Sequence, residues 1–318
     1  MRILVTGAAG FIGSQLANRY AAEGNVVIGI DNYEDAGNFK LDPRVRMVWG
    51  DIRRRQIVDA IADLKPDLIN HHAAKIDPRW SMLYPADDAQ TNYIGTINVV
   101  DGARKAGCSK IIFASSCAVY GSGPMSVGQA ENPNCPYGIS KLASEKYIRM
   151  IAKTSNLRFV ILRYPNVYGP SQSGTRSTGV IAIFARAMAR NLPITIYGDG
   201  LASYQYRFIN DIVDANMAAT CRLSVTSSGS LLTNVPGDQC SVHSLAEMIA
   251  ENFPGYVIRI VYEKARDGEQ QCITMTGGTV EYELGWLPVV SLREGISRVT
   301  KAAKEDAKKD AENDNRAS

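Results

Sequence analysis

Short apolar runs rich in β-branched residues alternate with stretches whose apolar positions recur every three or four residues, and this rhythm holds through the first half of the chain. Arg2–Thr6 is such a run and ends in glycines, which predicts a strand buried on both faces. Phe11–Glu23 then puts Ile12, Leu16 and Tyr20 on one side of a helix. Asn25–Ile30 is a second β-branched run and closes a βαβ unit of about 30 residues. The same reading predicts strands at Arg46–Trp49, Asp67–Asn70, Lys110–Ser115 and Arg158–Leu162. Between them it predicts helices at Arg55–Leu64, Asn92–Ala106 and Ser140–Ser155. Regular alternation of β and α implies an α/β class, a doubly wound parallel sheet with helices on both faces.

After Tyr168-Gly169-Pro170 the rhythm breaks. Ser171–Thr178 is polar and reads as a loop, Gly179–Arg190 as a helix, Ile194–Tyr197 as a short strand and Ser244–Asn252 as a further helix. The expected organisation is a first domain over 1–164 and a smaller α/β lobe over 165–300, interleaved with the last strands of the sheet. A charged tail over 301–318 alternates Lys, Glu, Asp and Ala, which predicts a solvated helix that frays.

Composition narrows the function classes. With 318 residues and 45% hydrophobic content the chain can bury a sizeable core, and a net charge of +3 is too small to imply nucleic acid. The six cysteines, Cys108, Cys117, Cys135, Cys221, Cys240 and Cys272, form no CxxC pair. They read as reduced thiols of a cytoplasmic protein, with no metal site expected. A strand starting at Arg2 leaves no room for a signal peptide, and no apolar run approaches the roughly 18–20 residues of a membrane span.

Candidate chemistry begins at the first turn. Gly7, Gly10 and Gly13 follow a strand and open a helix, where they permit a tight turn and close approach to a pyrophosphate. Asp31 ends the second strand, where a carboxylate can bond both ribose hydroxyls and repel a 2′-phosphate, favouring NAD over NADP. Arg53-Arg54-Arg55 lies close by and reads as a solvated basic face at a helix start.

Tyr137 and Lys141 stand four apart and share a helical face. A free phenol titrates near ~10, and a nearby ammonium favours its phenolate. Ser116, at the end of Lys110–Ser115, lies where doubly wound sheets bind ligands and can donate to a substrate hydroxyl. The adjacent His71 and His72 point to opposite faces if they end a strand, which argues against a shared metal.

Taken together, TGAAGFIG at 6–13, DN at 31–32, GDI at 50–52, HHAA at 71–74, NYIGTINVVDGA at 92–103, SSCAVYG at 115–121, PYGISK at 136–141, LRYPNVYGP at 162–170, TIYGDG at 195–200 and ELGW at 283–286 resemble the extended short-chain dehydrogenases/reductases. The likeness is to their NAD-dependent nucleotide-sugar epimerase/dehydratase group and covers roughly residues 1–297. It implies a Rossmann domain with a small C-terminal substrate lobe. It also implies catalysis by Tyr137 as base and acid, Lys141 and Ser116, and a homodimer built on the helices matching Asn92–Ala106 and Tyr137–Ile151. The cofactor contacts it suggests are Gly7, Gly10, Phe11, Ile12, Gly13, Asp31, Asn32, Asp51, Ile52, Ala73, Ala74, Lys75, Asn92, Tyr137, Lys141 and Tyr164. Substrate contacts are expected at Asn166, Val180, Tyr197, Tyr204, Arg207 and Arg266.

Two departures from the group's pattern shape the expected reaction. Its 4,6-dehydratases carry an Asp-Glu pair where this chain has Cys117 and Ala118, so C4 epimerisation of a UDP-hexose is the activity implied. Alternatives are another sugar-nucleotide oxidoreductase, a dehydratase, an epimerase at another carbon or, remotely, a non-catalytic dinucleotide sensor. The group's usual diphosphate-binding Arg falls on Tyr204. Arg207, three residues on, would lie on the opposite face of a strand, while Arg266 matches the group's other phosphate-binding Arg.

Overall fold

The structure is a computed structural model that describes residues 1–317 apart from 38, 171, 173–178, 227–228, 266–272 and 277–279. The apolar runs become strands: β1 (Arg2–Thr6), β2 (Val26–Asp31), β3 (Arg46–Trp49), β4 (Leu68–His71) and β5 (Lys110–Ser116). With Arg158–Tyr164 and Leu231–Asn234 they form a seven-stranded, wholly parallel sheet. Its order from one edge is Leu231–Asn234, Arg158–Tyr164, β5, β4, β1, β2, β3. The order reverses between β1 and β4, and at such a switch point the carboxyl ends of the strands open a crevice.

The helices that cover this sheet are α1 (Phe11–Ala22), α2 (Ile57–Leu64), α3 (Pro78–Leu83), α4 (Pro85–Asp88), α5 (Gly95–Lys105) and α6 (Pro136–Lys153). Leu4, Ile28, Ile69, Val99, Ile111, Phe113, Ile148 and Ile161 join one buried cluster between sheet and helices. Each such side chain contributes about 2 kcal/mol by leaving water.

Two helix starts lie upstream of the predicted ones. In α6, Pro136 occupies the first turn and the Cys135 thiol accepts from the Gly138 amide at 3.5 Å, so the helix begins before its apolar periodicity does. The helix predicted from Asn92 is preceded by α4 and a π-helical turn, Ala89–Ile94. There the Asn92 carbonyl accepts from the hydroxyls of Thr96 (2.6 Å) and Ser144 (3.0 Å), partners no local pattern reveals.

The chain divides into two compact units. Unit 1 comprises Met1–Tyr164, Ile212–Val235 and Met275–Leu287 and holds the seven-stranded sheet. Unit 2 comprises Pro165–Asp211, Pro236–Thr274 and Pro288–Ser318. It contains a three-stranded sheet (Asp238–Ser241, Ser203–Phe208, Asn166–Tyr168) and a parallel pair (Ile194–Tyr197, Ile260–Glu263). The charged tail is the end of one helix, Leu292–Ala317, held to its own unit by an Arg190–Asp310 ion pair. Among the described residues no helix is long and apolar enough to cross a membrane.

Candidate active site

The turn after β1 is built for close approach. Gly7 has φ +71°, and a Cβ on it would stand 2.7 Å from the Ala73 amide nitrogen. A Cβ on Gly13 would stand 2.0 Å from the Gly7 carbonyl oxygen, so α1 can rest on this turn only without a side chain there. Gly10 is the N-cap of α1, and no side chain caps the helix. The amides of its first turn, from Phe11, Ile12 and Gly13, are thus a bare cradle for a phosphate.

Asp31 is fixed beside that cradle. Its carboxylate accepts from the amides of Ala9 (2.9 Å) and Tyr33 (2.7 Å), and the Asn32 side chain accepts from the Glu34 amide at 3.2 Å. The arginine run is solvated as expected at Arg54 and Arg55, and each of its members also meets a carboxylate. Arg53 engages Asp51 at 2.6 Å and also Glu34; Arg55 engages Asp101 at 2.7 Å. Arg54 reaches Asp51 at 3.9 Å and lies over the Trp49 ring. Burial works against the Asp51 charge, but the bonds from Arg53 hold its carboxyl below the ordinary value. Arg53 is spent on two carboxylates and offers no charge to a 2′-phosphate. The residues present therefore fit NAD.

Other expected cofactor residues lie beyond the carboxyl ends of β3 and β4. Ile52 is 5% exposed and packs at Gly95. Ala73 and Ala74 are half-buried, and the Ala73 amide donates to Thr6 Oγ1 at 3.2 Å. The Asn92 side chain clamps the backbone of Lys75, accepting from its amide and donating to its carbonyl, both at 2.9 Å. The Lys75 ammonium pairs with Asp35 and, at 3.5 Å, with Glu34.

Tyr137 and Lys141 sit in the first two turns of α6, 8% and 3% exposed. The Lys141 ammonium lies 5.9 Å from the centroid of the Tyr137 ring and donates to the Ala114 carbonyl of β5 at 2.9 Å. Ser116, at the end of β5, hydrogen-bonds the Tyr137 hydroxyl, which favours phenolate. Burial outweighs that bond and pushes the Tyr137 phenol well above its ordinary value. Burial also lowers the Lys141 ammonium to about 8, against the pull of Asp88 and Glu145. The Cys117 thiol is driven by burial to about 11, so it is not a reactive thiolate.

Both histidines have partners in the crevice floor. His71 bonds Thr6 Oγ1 (2.6 Å) and Thr96 Oγ1 (3.1 Å) through its two ring nitrogens. His72 bonds the Tyr164 hydroxyl at 3.2 Å and stacks on its ring. That hydroxyl also accepts from Asn216 at 2.7 Å. Burial holds both imidazoles neutral, His72 at about 3 and His71 well below its ordinary value. Among the described residues no cluster of three or more His, Cys, Asp or Glu could hold a metal ion. Asn216 and Asp88 carry no local signal in the sequence, because their partners lie 52 residues away (Tyr164, Ser140).

Unit 2 carries most of the expected substrate residues. Asn166 is exposed and donates to the Gln205 carbonyl at 3.3 Å; Val180 opens a helix, and Val180, Tyr197 and Tyr204 are all half-buried. Arg207 needs correction as a substrate contact. Ser203–Phe208 pairs without a bulge, so Arg207 lies on the face opposite Tyr204. Its guanidinium is committed to the Pro236 carbonyl (2.8 Å), Asp211 and Asp238 (both 3.4 Å). Arg266 lies outside the described residues.

A phenol that can pass a proton, a hydroxyl bonded to it and a buried ammonium, in the same unit as a dinucleotide cradle, suit interconversion of an alcohol and a ketone. The sequence profile of the NAD dependent epimerase/dehydratase family matches residues 3–229. A UDP-glucose 4-epimerase of Mycolicibacterium smegmatis is 34% identical over 308 residues, covering 94% of this chain and 97% of the relative. The UDP-glucose 4-epimerase of Thermotoga maritima, solved with UDP-glucose, superposes with a TM-score of 0.90 at 31% identity, covering 96% of this chain and 99% of that one. The UDP-glucose 4-epimerase of Thermus thermophilus, solved with NAD, gives 0.87 at 29% identity, covering 96% and 99%.

Proposed function

The chain belongs to the NAD-dependent epimerase/dehydratase family, and from that premise we propose that it is a nucleotide-sugar 4-epimerase acting on a UDP-hexose. The observation that carries the reading is the grouping of Ser116, Tyr137 and Lys141 with no acid at the two positions after Ser116. Tyr137 Oη takes the proton of the C4 hydroxyl and later returns it. Ser116 Oγ bonds the same sugar oxygen, and the Lys141 ammonium favours the phenolate form of Tyr137. Bound NAD would supply the hydride acceptor and donor for C4, with a 4-keto sugar between the two transfers. Loss of water from the sugar would need a proton donor beside Ser116. Ala118 has none, and the Cys117 thiol is held near 11 by burial.

Gly7, Gly10, Phe11, Ile12, Gly13, Asp31, Asn32, Asp51, Ile52, Ala73, Ala74 and Lys75 would hold the cofactor, with Asn92 and Tyr164 on its nicotinamide side. Asn166, Val180, Tyr197 and Tyr204 are the proposed contacts to the sugar nucleotide. A homodimer in the cytoplasm completes the reading: α6 exposes Ile139 (56%) and Met150 (48%), apolar side chains that a partner helix would cover. The test is proton NMR of the purified protein with UDP-glucose, UDP-N-acetylglucosamine and UDP-glucuronate in separate tubes, with no cofactor added. A new anomeric signal of the C4 epimer supports both the reaction and retained NAD. No change in any tube, with NAD found bound, overturns the UDP-hexose reading.

A further inference from the structure

Lys141 is a cation in the protein interior, and one bond to a backbone carbonyl leaves its charge unbalanced. A buried ammonium without an anion sheds its proton. Two fully buried carboxylates stand within its electrostatic reach, Glu145 and Asp88. Glu145 is already matched. Arg163 engages both its oxygens, through Nε at 2.9 Å and a terminal nitrogen at 2.6 Å, and Ser115 donates to it as well. Among the described residues no cation is bonded to Asp88. Its carboxylate accepts from Ser140 Oγ (2.5 Å) and Asn92 Nδ2 (2.7 Å), both neutral donors, and Ser140 is the residue before Lys141 on α6.

We propose that Asp88 is the counterion of Lys141, a positioning residue that keeps the ammonium protonated during turnover and thereby supports the phenolate of Tyr137. The proposal rests on the roles assigned to Tyr137 and Lys141 above. The other titratable groups around the pair do not compete. His71 and His72 are neutral, and burial also keeps the thiols of Cys117 and Cys135 and the phenols of Tyr120 and Tyr164 neutral. Arg163 is met by Glu145 and, at 2.5 Å, by Glu131, whose side chain is 21% exposed and shares its charge with water. Asp88 is the remaining anion among the described residues; burial raises its carboxyl, and Ser140, the Lys141 charge and Asn92 draw it back toward the charged form.

The ammonium is present below its lowered value of about 8 and is lost as the pH rises through it. Removing the Asp88 charge moves that loss to lower pH. The experiment is the pH profile of kcat from neutral to alkaline conditions for wild type, Asp88→Asn, Asp88→Glu and Ser140→Ala. Asp88→Asn is expected to move the alkaline limb down by about one unit, a roughly tenfold loss on that limb, with KM and bound NAD little changed. Asp88→Glu and Ser140→Ala keep the charge and are expected to leave the limb in place. An Asp88→Asn profile scaled down without a shift overturns the proposal, as does an equal shift in Asp88→Glu. If Asp88→Asn does not fold, Asp88→Ser carries the same test, because it removes the charge without setting a second amide opposite Asn92. A wild type inactive on every sugar nucleotide overturns the functional reading; an active one whose neutral variants keep the limb overturns only the role of Asp88.

Discussion

Tyr137 and Ser116 meet from different elements: the phenol comes from the first turn of α6 and the hydroxyl that bonds it from the last residue of β5. The phenol is buried and pushed upward, so in the proposed mechanism its proton moves only when a substrate oxygen and the Lys141 charge favour the transfer. Tyr137→Phe is expected to lower kcat by about a thousandfold while NAD stays bound. Turnover by NMR and released NAD by chromatography check this; normal activity would remove Tyr137 from the reaction.

Lys141→Met removes the cation altogether. A loss of roughly a hundredfold in kcat is expected, with the alkaline limb near pH 8 gone from the profile. A surviving limb would assign it to another group.

Gly13→Ala sets a methyl group 2.0 Å from the Gly7 carbonyl oxygen. The turn must open, at about 1–3 kcal/mol. NAD content after purification should fall at least about tenfold, which absorbance of the released cofactor reads.

Arg163→Met leaves the fully buried Glu145 without its cation. The expected cost is about 3–5 kcal/mol in urea denaturation, and Arg163→Met combined with Glu145→Leu should recover most of it. A double variant as unstable as the single one would point to packing instead of charge.

Tyr204→Arg puts at that strand position the diphosphate-binding side chain that the resemblance implies. It is expected to lower KM for the sugar nucleotide with little change in kcat. An unchanged KM would mean that the diphosphate is not held there. Arg207→Met, by contrast, should lower thermal stability, because Arg207 serves Asp211, Asp238 and the Pro236 carbonyl.

The centre of the parallel sheet is legible in the sequence because a run such as Ile3-Leu4-Val5, apolar on both faces, has few other fates, whereas the edge strand Leu231–Asn234 ends in Thr233 and Asn234 and shows no such run. The glycine turn is legible for a related reason: Gly7 and Gly13 answer a backbone constraint only a few residues away. Asp88 and Asn92 are not, since their side chains answer Ser140 and Lys75, which no local periodicity brings near. The bond partners of Arg163 are equally hidden, since Glu145 and Glu131 lie 18 and 32 residues away in the chain. The opposite faces of Tyr204 and Arg207 follow from the strand's pleat alone, but what Arg207 binds required the turn at Pro236.

Unit 1 takes back two later stretches, Ile212–Val235 and Met275–Leu287. A protease cut or gene boundary after Tyr164 would leave Arg158–Tyr164 as an open sheet edge, Tyr164 without Asn216 and Tyr120 without Asn234. Recombination between relatives at a single crossover there therefore produces a hybrid inside one folding unit. Exchange of unit 2 by grafting has to move Pro165–Asp211, Pro236–Thr274 and Pro288–Ser318 together, or else proceed one side chain at a time.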